Sequence, residues 1–371
     1  MQNQINIVLK EACERGLAQG VYAGVSAAVS IRKTKVRYRG KFSGGVTRYD
    51  PQGMKVATST LFDLASLTKP LCTTLCTLAL FTAGKMDWQN ANLSLLDVDL
   101  PSEKSDITVL DMLHHSSGLP AYRPYFAAFE PHASRDNRIA VRRRILDEPL
   151  AYPSGSTCLY SDLGFILLGQ LIEKVTGQPL DQFYRQQIIE PLQLTESLLF
   201  LPVNELSTTE KSAIAATENC PWRHALLQGE VHDEHCWLMG GIAGHAGLFG
   251  TADGVLRLCE CLMDCWQGRG RHPAFSDQLL RSALTWNKPG NSWRLGFDTP
   301  SPGQSSSGRY FSRQSVGHLG FTGTSFWMDP ERDIIVVLLT NRVHPSRANV
   351  QIKEFRPFFH DFLMERIGMV G

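Results

Sequence analysis

The chain has 371 residues, 43% of them hydrophobic and 20% charged, with a net charge of +1 at neutral pH. That balance describes an ordinary globular protein of one large or two smaller domains, and gives no electrostatic case for nucleic acid or an anionic membrane surface as a partner. Nine cysteines, an odd number with no C-x-x-C pair, fit free thiols in a reducing compartment better than a disulfide framework or a zinc site.

The first eleven residues lack the basic start and continuous apolar core of a signal peptide. Leu9, Cys13 and Leu17 mark one face of a helix over about 2–18, and a cytoplasmic location is expected. Alternating segments at 22–32 and 35–43 read as strands. A helix should start near Ser66 and stop at Gly84. Its apolar run from Leu71 to Ala83 carries four threonines and is too short to span a bilayer. Thr108 caps a short helix ending near Leu113. Arg142, Arg143 and Arg144 read as a solvated helix face, since no aromatic platform interleaves them. Leu163 to Val175 is a strongly apolar helix with Gly177 as its stop, and Thr251 caps another through Met263. Cys261 and Cys265 share a face of that helix, and Cys72 and Cys76 repeat the spacing; all read as small buried residues. Residues 300–308, rich in Ser and Gly, form a loop. Strands at 324–328 and 333–339 are separated by the Asp329-Pro330 turn signal, and a last helix covers about 346–367. Strands at both ends with helices between imply an α+β fold. Its sheet domain combines 1–75 with 240–371, and 76–239 forms a mostly helical subdomain.

One pair stands out chemically. Ser66 and Lys69 lie one helical turn apart in Phe62-Asp63-Leu64-Ala65-Ser66-Leu67-Thr68-Lys69-Pro70. A serine hydroxyl is inert until something takes its proton, and an amine on the same helix face can reach it. The S-x-x-K spacing also occurs at Ser30 and Lys33. There the segment alternates like a strand, so residues three apart face opposite sides and cannot meet.

Three later segments make the pair specific: Tyr160-Ser161-Asp162, preceded by Pro153-Ser154-Gly155; His115-Ser116-Ser117-Gly118; and Gly317-His318-Leu319-Gly320-Phe321. With them the chain resembles the serine β-lactamase and penicillin-binding-protein superfamily. It looks closest to the class C-like branch that also holds esterases and penicillin-binding protein 4B-like hydrolases. That family carries S-x-x-K, Y-x-N and K-T-G motifs in this order. Here Asp162 replaces the Asn, His318 the Lys and Leu319 the Thr. The resemblance runs from about Gly20 to Asn341 and includes Glu190-Pro191-Leu192 and residues 244–250.

The resemblance implies a β-lactamase/transpeptidase-like fold, with an antiparallel sheet flanked by terminal helices and an inserted helical subdomain. It implies an acyl-enzyme on Ser66, with Lys69 and Tyr160 handling the proton. Asp162, His318, Gly320 and Phe321 would line the oxyanion and substrate site. The oxyanion hole would use the backbone N–H of Ser66, at the N-cap of its helix, and that of Phe321 on the facing strand. Asp162 in ionised form would favour a charged Lys69, and His318 gives less positive field than lysine. Tyr160 therefore takes the larger share of proton acceptance. A neutral His318 and a Leu319 without a hydroxyl grip a carboxylate poorly. The substrate is then a small molecule or short peptide carrying an ester or amide, with D-amino-acid peptides and β-lactams included. A non-catalytic sensor of peptidoglycan fragments or penicillin is the alternative. No metal or organic cofactor is implied. His115 reads as a loop brace and His245 as structural beside the cleft. His232-Asp233-Glu234-His235 reads as a cleft-rim loop or surface turn, because H-x-x-H lacks the H-E-x-x-H spacing of zinc proteases.

Overall fold

The structure is a computed structural model that describes residues 1–204, 206–286 and 292–369. Strands β1 (Gly24–Lys33) and β2 (Val36–Gly45) form a hairpin, and β3 (Val316–Leu319), β4 (Ser325–Asp329) and β5 (Ile334–Thr340) come from the other end of the chain. They make one antiparallel sheet in the order β2-β1-β5-β4-β3. The link between the termini is the β1–β5 ladder, which runs from Val25 opposite Thr340 to Ile31 opposite Ile334.

Apart from the edge strand β2, the sheet is buried on both faces, and its period of two sorts side chains between two cores. Val25, Ala27, Val29, Val336 and Leu338 face one core with helix α1 (Gln2–Ala18) and the C-terminal helix α5 (Ile352–Arg366). Ala28, Ile335, Val337 and Leu339 face the other, with helices α2 (Leu75–Thr82), α3 (Asp162–Thr176) and α4 (Ala252–Trp266). Ser30 also faces α4, donating a 2.6 Å hydrogen bond to Glu260. It lies far from any lysine-assisted chemistry, as its strand position predicts. Two short strands, Phe62–Asp63 and Leu198–Phe200, flank Leu248–Gly250 in a second, three-stranded sheet that delivers the chain to Ser66.

Predicted caps recur at several helices. Thr108 and Asp111 form a reciprocal capping box, Thr251 accepts from the Gly254 N–H, and Gly177 ends α3 in the left-handed region. Two helices depart from expectation. The segment after Ser66 is not one α-helix. A 3₁₀ turn over Ala65–Leu67 leads into a π-helical stretch over Lys69–Thr74, and only then into α2. Pro70 has no N–H to close a regular turn onto Ser66, so the coil widens there. Ser66 is accordingly inside a 3₁₀ turn and not an N-cap. The last helix starts at Ile352, not near 346. The Arg342 guanidinium claims the carbonyls of Arg347 and Asn349, which holds that stretch out of a helical ladder. No helix among the described residues is long and apolar enough to cross a membrane.

Candidate active site

Ser66 sits where the three-stranded sheet turns into the 3₁₀ segment. The residue before it, Ala65, has φ +47°, a left-handed conformation that costs a non-glycine residue roughly 1–2 kcal/mol. The buried Asp63 side chain holds it there. One carboxylate oxygen accepts the Ala65 N–H at 2.8 Å and the other accepts the His232 N–H at 2.6 Å. Thr68 completes the turn by donating to the Ala65 carbonyl at 2.7 Å.

Lys69 is fully buried. Its Nζ donates to Ser66 Oγ at 2.9 Å and to the His245 carbonyl at 3.2 Å, and pairs with Asp162 Oδ1 at 2.7 Å. Tyr160 lies beside both: the Lys69 ammonium stands 4.9 Å from its ring centroid, and its phenol feels both Lys69 and Ser66 as neighbours. The hydroxyl, the amine and the phenol from three distant stretches thus meet at one point. Burial alone would lower the Lys69 pKa, but Asp162 and Tyr160 outweigh it and the net shift is upward. Burial also pushes the Tyr160 phenol up, against the opposing pull of Lys69. The resting pair is therefore an ammonium and a neutral phenol.

Helix α3 carries Asp162 at its first position, and Ser161 caps it. His115 fixes this junction from below. Its Nδ1 accepts the Ser161 N–H at 3.1 Å, and its ring lies 4.6 Å from that of Tyr160. Burial drives the His115 pKa well down, so it serves as a neutral brace. His245 is buried too, and its Nε2 meets Asp233 at 2.8 Å. The His232–His235 stretch is not a surface turn. His232 is buried against Glu218 at 3.0 Å, and His235 packs among Tyr122, Tyr125 and Phe126. Nor is the stretch a loop throughout: Asp233 caps a short helix over Glu234–Leu238, and Asp233 and Glu234 line the cleft wall.

On the opposite wall, His318 lies one residue from the end of β3 with its Nδ1 donating to the Leu319 carbonyl at 2.8 Å. Burial, helped by the Lys69 charge, lowers its pKa to about 3, so it is neutral across the physiological range. Gly320 and Phe321 lie in the turn after β3 and not on the strand itself. A side chain at Gly320 would strike the Thr324 hydroxyl and come within 2.7 Å of the Leu64 carbonyl, so only glycine lets this turn abut the segment that leads into Ser66. Among the described residues, the backbone N–H groups of Ser66 and Phe321 have no protein acceptor. Both residues line one cleft of about 730 Å³, a size suited to a small organic ligand.

The sequence model of the β-lactamase family matches residues 9–355. The chain belongs to the β-lactamase family. Curated relatives of this β-lactamase-family hydrolase include an N-acetylmuramyl-L-alanine amidase of Bacillus subtilis, 32% identical, with 89% of this chain and 79% of that protein aligned. A putative D-alanyl-D-alanine carboxypeptidase of Escherichia coli O157:H7 is also 32% identical, over 93% of this chain and 85% of that one. Similar solved structures include a class C β-lactamase (TM-score 0.72, 16% identity, 98% of each chain). Another is EstCE1, a hydrolase with promiscuous acyltransferase activity (TM-score 0.70, 19% identity, 96% of this chain and 99% of that one).

Every residue expected at the site from sequence lies at this cleft or, for Lys69, directly beneath it. Several cleft residues escaped sequence reasoning. Trp293 packs at a tilt against Tyr160 and His318, and Asp298, Arg347 and Arg356 line the walls. None sits in a motif with a spacing that chemistry demands, so no local signal marks them.

Proposed function

We propose that this β-lactamase-family hydrolase works by acylation of Ser66 and hydrolysis of that acyl-enzyme. The observation that carries the reading is the 2.9 Å contact of Ser66 Oγ with a buried Lys69 that is itself paired with Asp162, with Tyr160 packed beside them in the same cleft. The ammonium cannot accept a proton, and a phenol with a raised pKa is not a resident phenolate. Tyr160 therefore acts as a shuttle. As Ser66 Oγ bonds to the scissile carbonyl carbon, its proton passes to the Tyr160 oxygen, and the Tyr160 proton passes to the departing oxygen or nitrogen. Lys69 stabilises the charge that develops in between. The oxyanion is held by the N–H groups of Ser66 and Phe321. Water then repeats the sequence in reverse on the acyl ester.

The substrate class follows from the wall beside His318. A D-alanyl-D-alanine substrate places a free carboxylate next to the scissile bond, and the family grips it with lysine and threonine. Here a neutral imidazole and Leu319 stand in their place. An ester, or an amide whose leaving group has no adjacent carboxylate, fits better. All nine cysteines are free and seven are buried, which supports a reducing, cytoplasmic setting. A fluorophosphonate probe should label the protein and lose its target in Ser66→Ala. Hydrolysis of short-chain aryl esters or muramyl-peptide amides should exceed that of D-alanyl-D-alanine peptides and cephalosporins. Absence of labelling by any acylating probe would return the chain to the sensor class.

A further inference from the structure

Arg356, on helix α5, is a guanidinium only 7% exposed. Among the described residues it has no carboxylate partner, and its Nε has no hydrogen-bond partner at all. Its Nη2 donates to the Gly320 carbonyl at 2.8 Å and to the Thr324 carbonyl at 2.9 Å. A buried cation without a counter-ion is costly, so its placement calls for a use. The Gly320 carbonyl and the Phe321 N–H belong to one planar, resonance-linked peptide group. Drawing electron density toward the carbonyl oxygen makes the N–H at the other end a stronger donor. The same turn is clamped to the nucleophile's strand. Thr322 Oγ1 donates to the Asp63 carbonyl at 2.7 Å and Thr324 Oγ1 to the Leu64 carbonyl at 3.1 Å.

We infer that Arg356 is a positioning residue for catalysis: its charge acts through the Gly320–Phe321 peptide to strengthen and aim the Phe321 N–H at the oxyanion. The inference rests on the acyl-enzyme reading above. Burial and the nearby Arg342 cation lower the Arg356 pKa to about 9, which leaves it charged at neutral pH. Arg342 serves the next peptide differently. It grips the Phe321 carbonyl at 2.8 Å and so orients the residue without touching the peptide that carries its N–H.

The test acylates Ser66 with an aryl ester carrying ¹³C at its carbonyl, confirms the adduct by mass, and reads the acyl carbonyl stretch by infrared difference spectroscopy. In Arg356→Met the stretch should move to higher frequency than in the wild type. Ester kcat should fall about 10-fold, with KM changed less than about twofold, because the lost interaction belongs to the transition state. Arg356→Lys, which keeps a charged donor, should restore both readings toward the wild type. If the methionine variant does not fold, Arg356→Gln carries the same comparison, since a neutral amide fits the same space. A wild-type stretch in the acylated neutral variant overturns the inference whatever happens to kcat, because a merely structural arginine leaves the bound carbonyl untouched. Absence of any Ser66 adduct in the wild type removes the acyl-enzyme reading and, with it, this inference.

Discussion

At the scale of single residues, the exchange that matters most is Asp162 at the position where the family's motif has asparagine. An asparagine can only hydrogen-bond Lys69, whereas an aspartate supplies a full counter-charge at 2.7 Å. Burial and the carboxylate pull the Lys69 pKa in opposite directions, and the carboxylate wins. The active form then has Lys69 and Tyr160 both protonated, and both pKa values lie above the ordinary 10.5 and 10.0. Activity should hold level up to about pH 9 and fall only above about pH 10, as these protons are lost. Asp162→Asn leaves burial as the dominant influence on Lys69. Its pKa drops, and kcat/KM should gain a falling limb within the range pH 6–9 that the parent lacks, as the ammonium form is lost there. A parent profile that itself rises steadily toward pH 10 would point to a neutral amine or phenolate base. Asp162→Ala, which strands a buried ammonium, should cost about 3 kcal/mol or more in urea unfolding. His318 contributes no limb between pH 5 and 8, since its pKa lies near 3.

At the scale of elements, the Phe62–Asp63 strand and the turn after it form the site's foundation. Asp63 is the joint, because its two carboxylate oxygens accept from two different loops. Asp63→Asn keeps the shape but offers only one acceptor oxygen, so either the Ala65 or the His232 N–H loses its partner. An orphaned buried donor costs about 1–3 kcal/mol, and removing a carboxylate whose pKa burial has already raised offsets part of that. Thermal melts should show the loss. Ester kcat should fall further than stability alone predicts, because Ser66 hangs on the left-handed Ala65. The π-helical stretch at Lys69–Thr74 belongs to the same foundation. A Pro70→Ala variant restores an N–H and permits a regular turn, and it offers a direct check on whether the widened coil is needed to bring Lys69 to 2.9 Å from Ser66.

At the scale of the whole molecule, the cleft is the seam between the sheet, entered through β3 and the β3–β4 turn, and the helical layer that carries Ser66 and Tyr160. Asp298 lies on this seam, with its backbone paired to Gly317 of β3. Burial raises its carboxyl pKa to about 7. A carboxyl with a raised folded-state pKa binds more protons folded than unfolded between pH 4 and 7, so its ionisation erodes stability as pH climbs through that window. Asp298→Asn keeps the acceptor for the Thr299 N–H and removes the charge. Its melting temperature should exceed the parent's at pH 8 and match it near pH 4. Equal shifts at both values would assign the effect to packing.

Read alone, the sequence determined the two-ended sheet, most helix starts and the ordered motif set that names the family. Those features are local: a period of two or 3.6, a capping hydroxyl, a glycine stop, a serine and lysine one turn apart. It also exposed Asp162, His318 and Leu319 as departures, because they sit inside motifs. What it could not supply was anything set by approach across the seam. The coil after Ser66 is reshaped by a proline and by contacts with Leu248 and His245. The protonation of Lys69 and Tyr160 depends on burial, which no spacing encodes. The Gly320 carbonyl is backed by Arg356, 35 residues beyond Phe321 and on the C-terminal helix. Tertiary structure decided these points because electrostatic and hydrogen-bond energies depend on distance and solvent exclusion, and both exist only once the layers have closed.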